Sequence, residues 1–115
     1  MVDRRRQVLG ADGEERATAW YRARGYAVLA RNWRCRDGEL DLVVGQGRTV
    51  VFVEVKTRRT ARFGHPLEAV TADKQARLRR LALTYLRETG THAGSLRFDV
   101  VGILGEDLEV LTGAF

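Results

Sequence analysis

The chain has 115 residues, 44% of them hydrophobic and 30% charged, the proportions of one soluble domain with a single packed core. Cys35 is the only cysteine and no stretch is compositionally biased, which excludes a disulfide scaffold, a Cys-rich zinc site and intrinsic disorder. Twenty Lys+Arg against fifteen Asp+Glu leave a net charge of +5, which favours a polyanionic partner, nucleic acid before a membrane surface; the competing explanation is a positive balance that serves solubility alone.

Residues 1–115 read as one domain, with 1–9 as a flexible basic N-terminus around Arg4-Arg5-Arg6. No apolar stretch follows Met1 to Gln7, and no run approaches the ~18 apolar residues of a membrane span. A soluble, cytoplasmic protein without membrane contact is expected. Asp12 or Gly13 opens a first helix, with Glu14 and Glu15 in a first turn where the helix dipole favours acids. Ala17, Trp20, Tyr21 and Ala23 form its apolar side, and Arg24-Gly25 ends it. Tyr26 to Arg31 reads as a short strand.

Gly38 to Val44 alternates and reads as a second strand. Gly45-Gln46-Gly47-Arg48 is a turn. Thr49 to Lys56 is the strongest strand signal, valine-rich and apolar on both faces, as in a central strand covered on both sides. Thr57 to His65 is an arginine-bearing loop. Thr71 caps a second helix that runs to about Glu88, burying Leu78, Leu81, Ala82, Tyr85 and Leu86. After a loop at Gly90 to Ser95, Leu96 to Leu104 forms a fourth strand and Leu108 to Leu111 a short edge strand. The order α-β-β-β-α-β-β predicts an α/β fold, a mixed β-sheet flanked by helices.

Glu54 and Lys56 lie two apart on the most hydrophobic strand, so their side chains share a face. Two charges there cost several kcal/mol unless they are paired or bound to a metal. If the turn within Gly45 to Arg48 lets Val44 pair with Val51, Asp41 falls opposite Glu54. If Gln46-Gly47 alone form it, Glu39 is opposite Glu54 and Asp41 is diagonal to it. Asp41 and Glu54 share a face in both registers. Facing carboxylates repel unless a cation lies between them. Mg²⁺ suits such a pair, with Mn²⁺ as a substitute, and the Val55 carbonyl offers a further ligand. A metal there would polarise a scissile phosphate, with Lys56 orienting water or stabilising charge. Glu14 shares a helix side with Ala17 and Tyr21 and is a further candidate for the site. The competing account is a structural ion-pair cluster.

Arg58, Arg59 and Arg62 follow this strand, and Arg77 and Arg80 lie on the second helix. All five are candidate phosphate contacts, against the alternative of a solvated face. Of the twenty basic residues only Lys56 and Lys74 are lysines, a hint that these positions need a compact charge rather than a guanidinium. His65, His92, Cys35, Asp99 and Trp33 read more readily as structural than as catalytic or base-stacking residues.

Gly38-Glu39-Leu40-Asp41-Leu42 followed by Phe52-Val53-Glu54-Val55-Lys56-Thr57-Arg58 resembles the YraN-like family of small bacterial proteins. Gly13-Glu14, Ala17, Gly25-Tyr26, Arg31-Asn32, Phe63-Gly64, Lys74, Arg97-Phe98-Asp99-Val100 and Ala114-Phe115 fit the same pattern. That family is similar to the restriction-endonuclease-like PD-(D/E)XK nuclease fold and to archaeal Holliday-junction resolvases. The resemblance implies metal-dependent cleavage of DNA, with the acidic helix residue at Glu14, the strand aspartate at Asp41 and the E-x-K at Glu54 and Lys56. The motif's proline before the aspartate is Leu40 here. Gln75 sits where some of these nucleases carry a helix glutamine, but Arg79 replaces the tyrosine that accompanies it. Resolvase-like relatives suggest a homodimer by analogy alone. The expectation is therefore an endonuclease acting on DNA, branched DNA included. A non-catalytic nucleic-acid-binding module is the alternative, and a structural or protein-interaction domain a third.

Overall fold

In the computed structural model, residues 4–60 and 64–115 are described, the side chains from Asp12 onward apart from those at 68 and 69. The elements are α1 (Arg4–Ala23), β1 (Ala27–Cys35), β2 (Gly38–Gln46), β3 (Thr49–Arg58), a 3-10 turn (Pro66–Ala69), α2 (Ala72–Thr89), β4 (Ser95–Leu104) and β5 (Asp107–Leu111). They form the expected mixed α/β arrangement: a five-stranded sheet in the order β1-β2-β3-β4-β5, antiparallel except for the parallel β3–β4 pair. α2 is the crossover that a parallel pair requires. No helix among the described residues is long and apolar enough to cross a membrane.

The helices pack on opposite faces of the sheet. On one face, Ala17 and Tyr21 of α1 meet Leu42, Val44, Val51, Val53, Val101 and Ile103. On the other, Leu78, Leu81, Ala82 and Tyr85 of α2 meet Leu40, Val43, Val50, Phe52 and Phe98. β3 is buried on both sides at Val50 to Val53, as its unbroken apolar run predicts. α2 has the predicted cap: the Thr71 hydroxyl accepts the Lys74 N–H at 3.3 Å, and Gly90 ends the helix in the left-handed region.

α1 begins at Arg4, not at Asp12 or Gly13, and so takes in part of the segment assigned to a basic tail. Gly13 lies inside the helix because α1 presses against the sheet there. A Cβ at that position would run into the Thr57 hydroxyl and lie 3.3 Å from Ile103 Cδ1. The close approach outweighs the roughly 1 kcal/mol that a mid-helix glycine costs. Its signal was one of packing rather than of a helix start.

Candidate active site

The β2–β3 hairpin sets the centre of the site. Val44 pairs with Val51, the first of the two open registers, but the ladder continues through Gly45↔Val50 and Gln46↔Thr49, so the loop is only Gly47-Arg48. Gly47 takes the positive φ of 59° that such a tight turn demands. In the other direction the ladder stops at Leu42↔Val53. Extending that register by one residue sets Asp41 against Glu54.

At Asp41 the regular strand breaks. Leu40 and Leu42, two apart, should share a face, yet Leu40 packs with α2 and Leu42 with α1. Across from it on β1, between the pairs Arg31↔Leu42 and Trp33↔Leu40, Asn32 holds a φ of 51°. The Val55 N–H, which points toward β2, donates to Asp41 Oδ2 at 2.9 Å. A side chain thus takes the place of a ladder carbonyl. Because N–H and C=O of one strand residue point the same way, the Val55 carbonyl also faces Asp41.

Strand alternation sends Val53 and Val55 to the α1 face and Glu54 and Lys56 to the α2 face, beside Phe52. Lys56 Nζ lies 3.2 Å from Glu54 Oε1, with the two side chains 25% and 12% exposed. Burial first, then the charges of Glu54 and Glu14, push the Asp41 carboxyl up to about 7, against the Val55 N–H and Lys56. Glu54 therefore stands near enough to Asp41 to resist its ionisation. Glu14 reaches Asp41 electrostatically from α1, on the far face. Among the described residues no three of His, Cys, Asp and Glu converge closely enough to hold a metal ion by side chains alone.

That donor set still fits a hard cation. Two carboxylates that repel each other and a backbone carbonyl facing them suit Mg²⁺, which completes its octahedron with water and substrate oxygens. They do not suit zinc, which prefers nitrogen and sulfur donors.

Sequence reasoning left Lys74 outside the site. The charge of Lys56, with burial and the charge of Arg77, lowers its pKa against the opposing pull of Glu54. The scarcity of lysine was the one signal that could have placed it there. Arg77 therefore also faces this side of α2, with Arg80 one turn on and exposed. Arg58 is half-buried and Arg59 exposed at the end of β3. Arg62 lies outside the described residues.

The other singled-out residues have structural partners. His65 Nδ1 accepts the Leu67 N–H at 3.2 Å as the cap of the 3-10 turn, and its Nε2 lies 3.7 Å from Glu109. Trp33 packs edge-on against Tyr85 at 5.3 Å. Gln75 Nε2 donates to the Val70 carbonyl at 3.4 Å. The Arg79 guanidinium lies over the rings of Phe98 and Phe115, at 5.3 and 5.4 Å.

Comparison with known proteins places this arrangement in a family. Residues 13–103, which carry all four candidate site residues, match the model of the uncharacterised protein family UPF0102. A UPF0102 protein of Beutenbergia cavernae is 56% identical over 101 residues, covering 88% of this chain and 86% of that protein. Another, from Nocardia farcinica, is 54% identical over 99 residues, covering 86% and 78%. A third, from Leifsonia xyli subsp. xyli, is 51% identical over 96 residues, covering 84% and 81%. Matched over most of its length by the family model and by close relatives alike, the chain belongs to the UPF0102 family.

Proposed function

We propose that this protein is a metal-dependent nuclease that hydrolyses phosphodiester bonds in DNA, branched DNA included. The observation that carries this reading is the half-buried set Asp41, Glu54 and Lys56, gathered where the β2–β3 ladder opens. Asp41, Glu54 and the Val55 carbonyl would hold Mg²⁺ or Mn²⁺, with Glu14 adding negative charge from α1. When bound, the ion supplies Lewis acidity to a phosphoryl oxygen and to water.

The chain's own groups do the rest. Glu54 holds the Lys56 ammonium at the rim of the carboxylate pair, where it donates to a phosphoryl oxygen and stabilises the charge that builds up there. Arg58, Arg59, Arg77 and Arg80 offer salt-dependent, sequence-independent contacts to neighbouring phosphates, and Arg62 belongs to the same proposal. The net charge of +5 favours the approach of DNA over that of a neutral partner.

The test is a cleavage screen on duplex, single-stranded, flap and four-way-junction DNA, and on RNA, with Mg²⁺, Mn²⁺ or chelator. Metal-dependent nicking is expected, reduced at least ~100-fold in Glu54→Gln and Lys56→Ala. Folded variants that cut as fast as the parent overturn the reading. One observation favours the second reading, a module that binds nucleic acid without cutting it: no three side-chain metal ligands converge among the described residues. That reading gives binding to the same substrates and no nicking in either metal.

A further inference from the structure

β1 pairs with β2 in one register from Ala30↔Val43 to Cys35↔Gly38, and within it Asn32 stands opposite Asp41. Both strands break step at that pair. On β2, Leu40 packs with α2 and Leu42 with α1. On β1, Ala30 and Trp33, three apart, both pack with the α2 core, whereas Arg31 reaches Glu15 of α1 at 3.0 Å. Residues two apart in a regular strand share a face, so each strand changes face once here. Because both change at the same pair, Leu40 still meets Trp33 and Leu42 still meets Arg31 across the ladder.

Among the described residues Asn32 is the one non-glycine with a positive φ, 51°. Asparagine visits that left-handed region at lower cost than other side-chain-bearing residues, and one such residue lets Arg31 and Trp33 face opposite sides. The consequence falls on Asp41. Side chains of a regular strand stand perpendicular to the sheet, away from the ladder N–H groups of the next strand. Asp41 instead lies in the ladder and accepts the Val55 N–H at 2.9 Å. Had β1 kept step, Trp33 would turn to the α1 face and leave Tyr85, whose ring it meets at 5.3 Å, or β1 would lose its pairing with β2. We propose that Asn32 is the positioning residue of Asp41: its left-handed backbone lets β1 match the break in β2, and the matched break holds the Asp41 carboxylate in the opening between β2 and β3. Asn32 acts through Asp41 alone. What Asp41 does there, holding a hard cation, rests on the nuclease reading, whereas its placement by Asn32 does not.

Hydrogen exchange at the Val55 amide, followed by NMR with chelator present, reports where Asp41 sits without any metal, and the β4 amides serve as the internal reference. Asn32→Gly enters the left-handed region freely and should keep Val55 protection within about twofold of the parent. Asn32→Val resists that region most and should lower protection at Val55 about tenfold relative to β4, with Asn32→Ala lowering it about threefold. Should Asn32→Val not fold, Asn32→Ala carries the same test. Mn²⁺ affinity, read from the electron paramagnetic resonance of the free ion, should fall in the same order, because the apparent Kd rises as the competent fraction shrinks. Protection lost equally at Val55 and β4 is what a purely structural role gives, and it overturns the proposal. So does Asn32→Gly losing as much as Asn32→Val, or Asn32→Val and Asn32→Ala protecting Val55 as the parent does. Selective loss at Val55 in a protein that neither binds Mn²⁺ nor cuts DNA leaves the positioning role standing and removes the nuclease reading. A parent that cuts, with Val55 protection and Mn²⁺ affinity unchanged in Asn32→Val and Asn32→Ala, does the reverse.

Discussion

Asp99 and Asp41 are both acids set in apolar surroundings, and the fold treats them in opposite ways. Asp99, with a side chain fully out of solvent, accepts from the Tyr21 hydroxyl at 2.7 Å, from Arg97 through Nε and Nη2 at 2.9 Å each, and from the Gly113 N–H at 3.0 Å. Tyr26 joins by accepting from Arg97 at 3.0 Å. Burial and the neighbouring Asp99 raise the Tyr21 hydroxyl's pKa, and Asp99 and Tyr26 do the same for Arg97, so each partner is held in its donating form. Asp41 receives one backbone N–H and faces two further carboxylate charges. A buried acid whose lone pairs are all engaged is a strut that ties α1, β4 and the C-terminal turn together. A half-buried acid that the protein leaves electrostatically short is one that a cation would stabilise.

That contrast can be broken most forcefully at the strut. Asp99→Ala leaves Arg97 and the Tyr21 hydroxyl without their acceptor, and breaking a buried ion pair costs about 3–5 kcal/mol. Denaturant unfolding should show a loss of that size. A loss below ~1 kcal/mol would mean that the network is not structural. Tyr21→Phe is the gentler version. It removes one hydrogen bond and leaves the two from Arg97 intact, so about 1–2 kcal/mol is expected by the same measurement. A Tyr21→Phe cost equal to that of Asp99→Ala would make the hydroxyl, rather than the arginine, the main support.

The strut and the site were unequally legible in the sequence. Strand period alone put Glu54 and Lys56 on one face, because β3 is regular and its valine run leaves no doubt about its pleat. Hairpin parity brought Asp41 to Glu54 but left two registers, since the turn was read either as Gly45 to Arg48 or as Gln46-Gly47; the loop is neither, and its true place at Gly47-Arg48 gives the register that pairs Val44 with Val51. The break at Asp41 was invisible, because Leu40 and Leu42 look alike in sequence and only the two opposing cores tell them apart. That Lys74 lies within electrostatic reach of Lys56 and Glu54 depends on how α2 crosses the sheet, which no local pattern encodes. Asp99 could be recognised as a strand acid, but its partner Tyr21 lies 78 residues away. The helix start was misread for a related reason: Gly13 is explained by Thr57, across the fold, and not by its neighbours in the chain.

The last expected effect, no larger than that of Tyr21→Phe, has the opposite sign from the others, and it tests the comparison most closely. Asp41 titrates near 7 in the folded protein, against an ordinary value of 3.8. Between those two values the folded state holds a proton that the unfolded chain has released. The metal-free protein should therefore lose stability as pH rises from about 4 to about 7, and lose no more from this group above that. Asp41→Asn keeps an oxygen that can accept the Val55 N–H but carries no charge at any pH. In the absence of divalent ions it should match the parent near pH 4 and be about 1–2 kcal/mol more stable at pH 8, a range set below the full conversion of the shift because Asp41 is only part-buried. Thermal unfolding at a series of pH values, with chelator present, measures this difference. Adding Mg²⁺ should then stabilise the parent at pH 8 and leave Asp41→Asn nearly unmoved, since binding to the folded state alone raises its stability. If Asp41→Asn is instead less stable than the parent at pH 8, the carboxylate is satisfied in place, as Asp99 is, and the two aspartates are both struts.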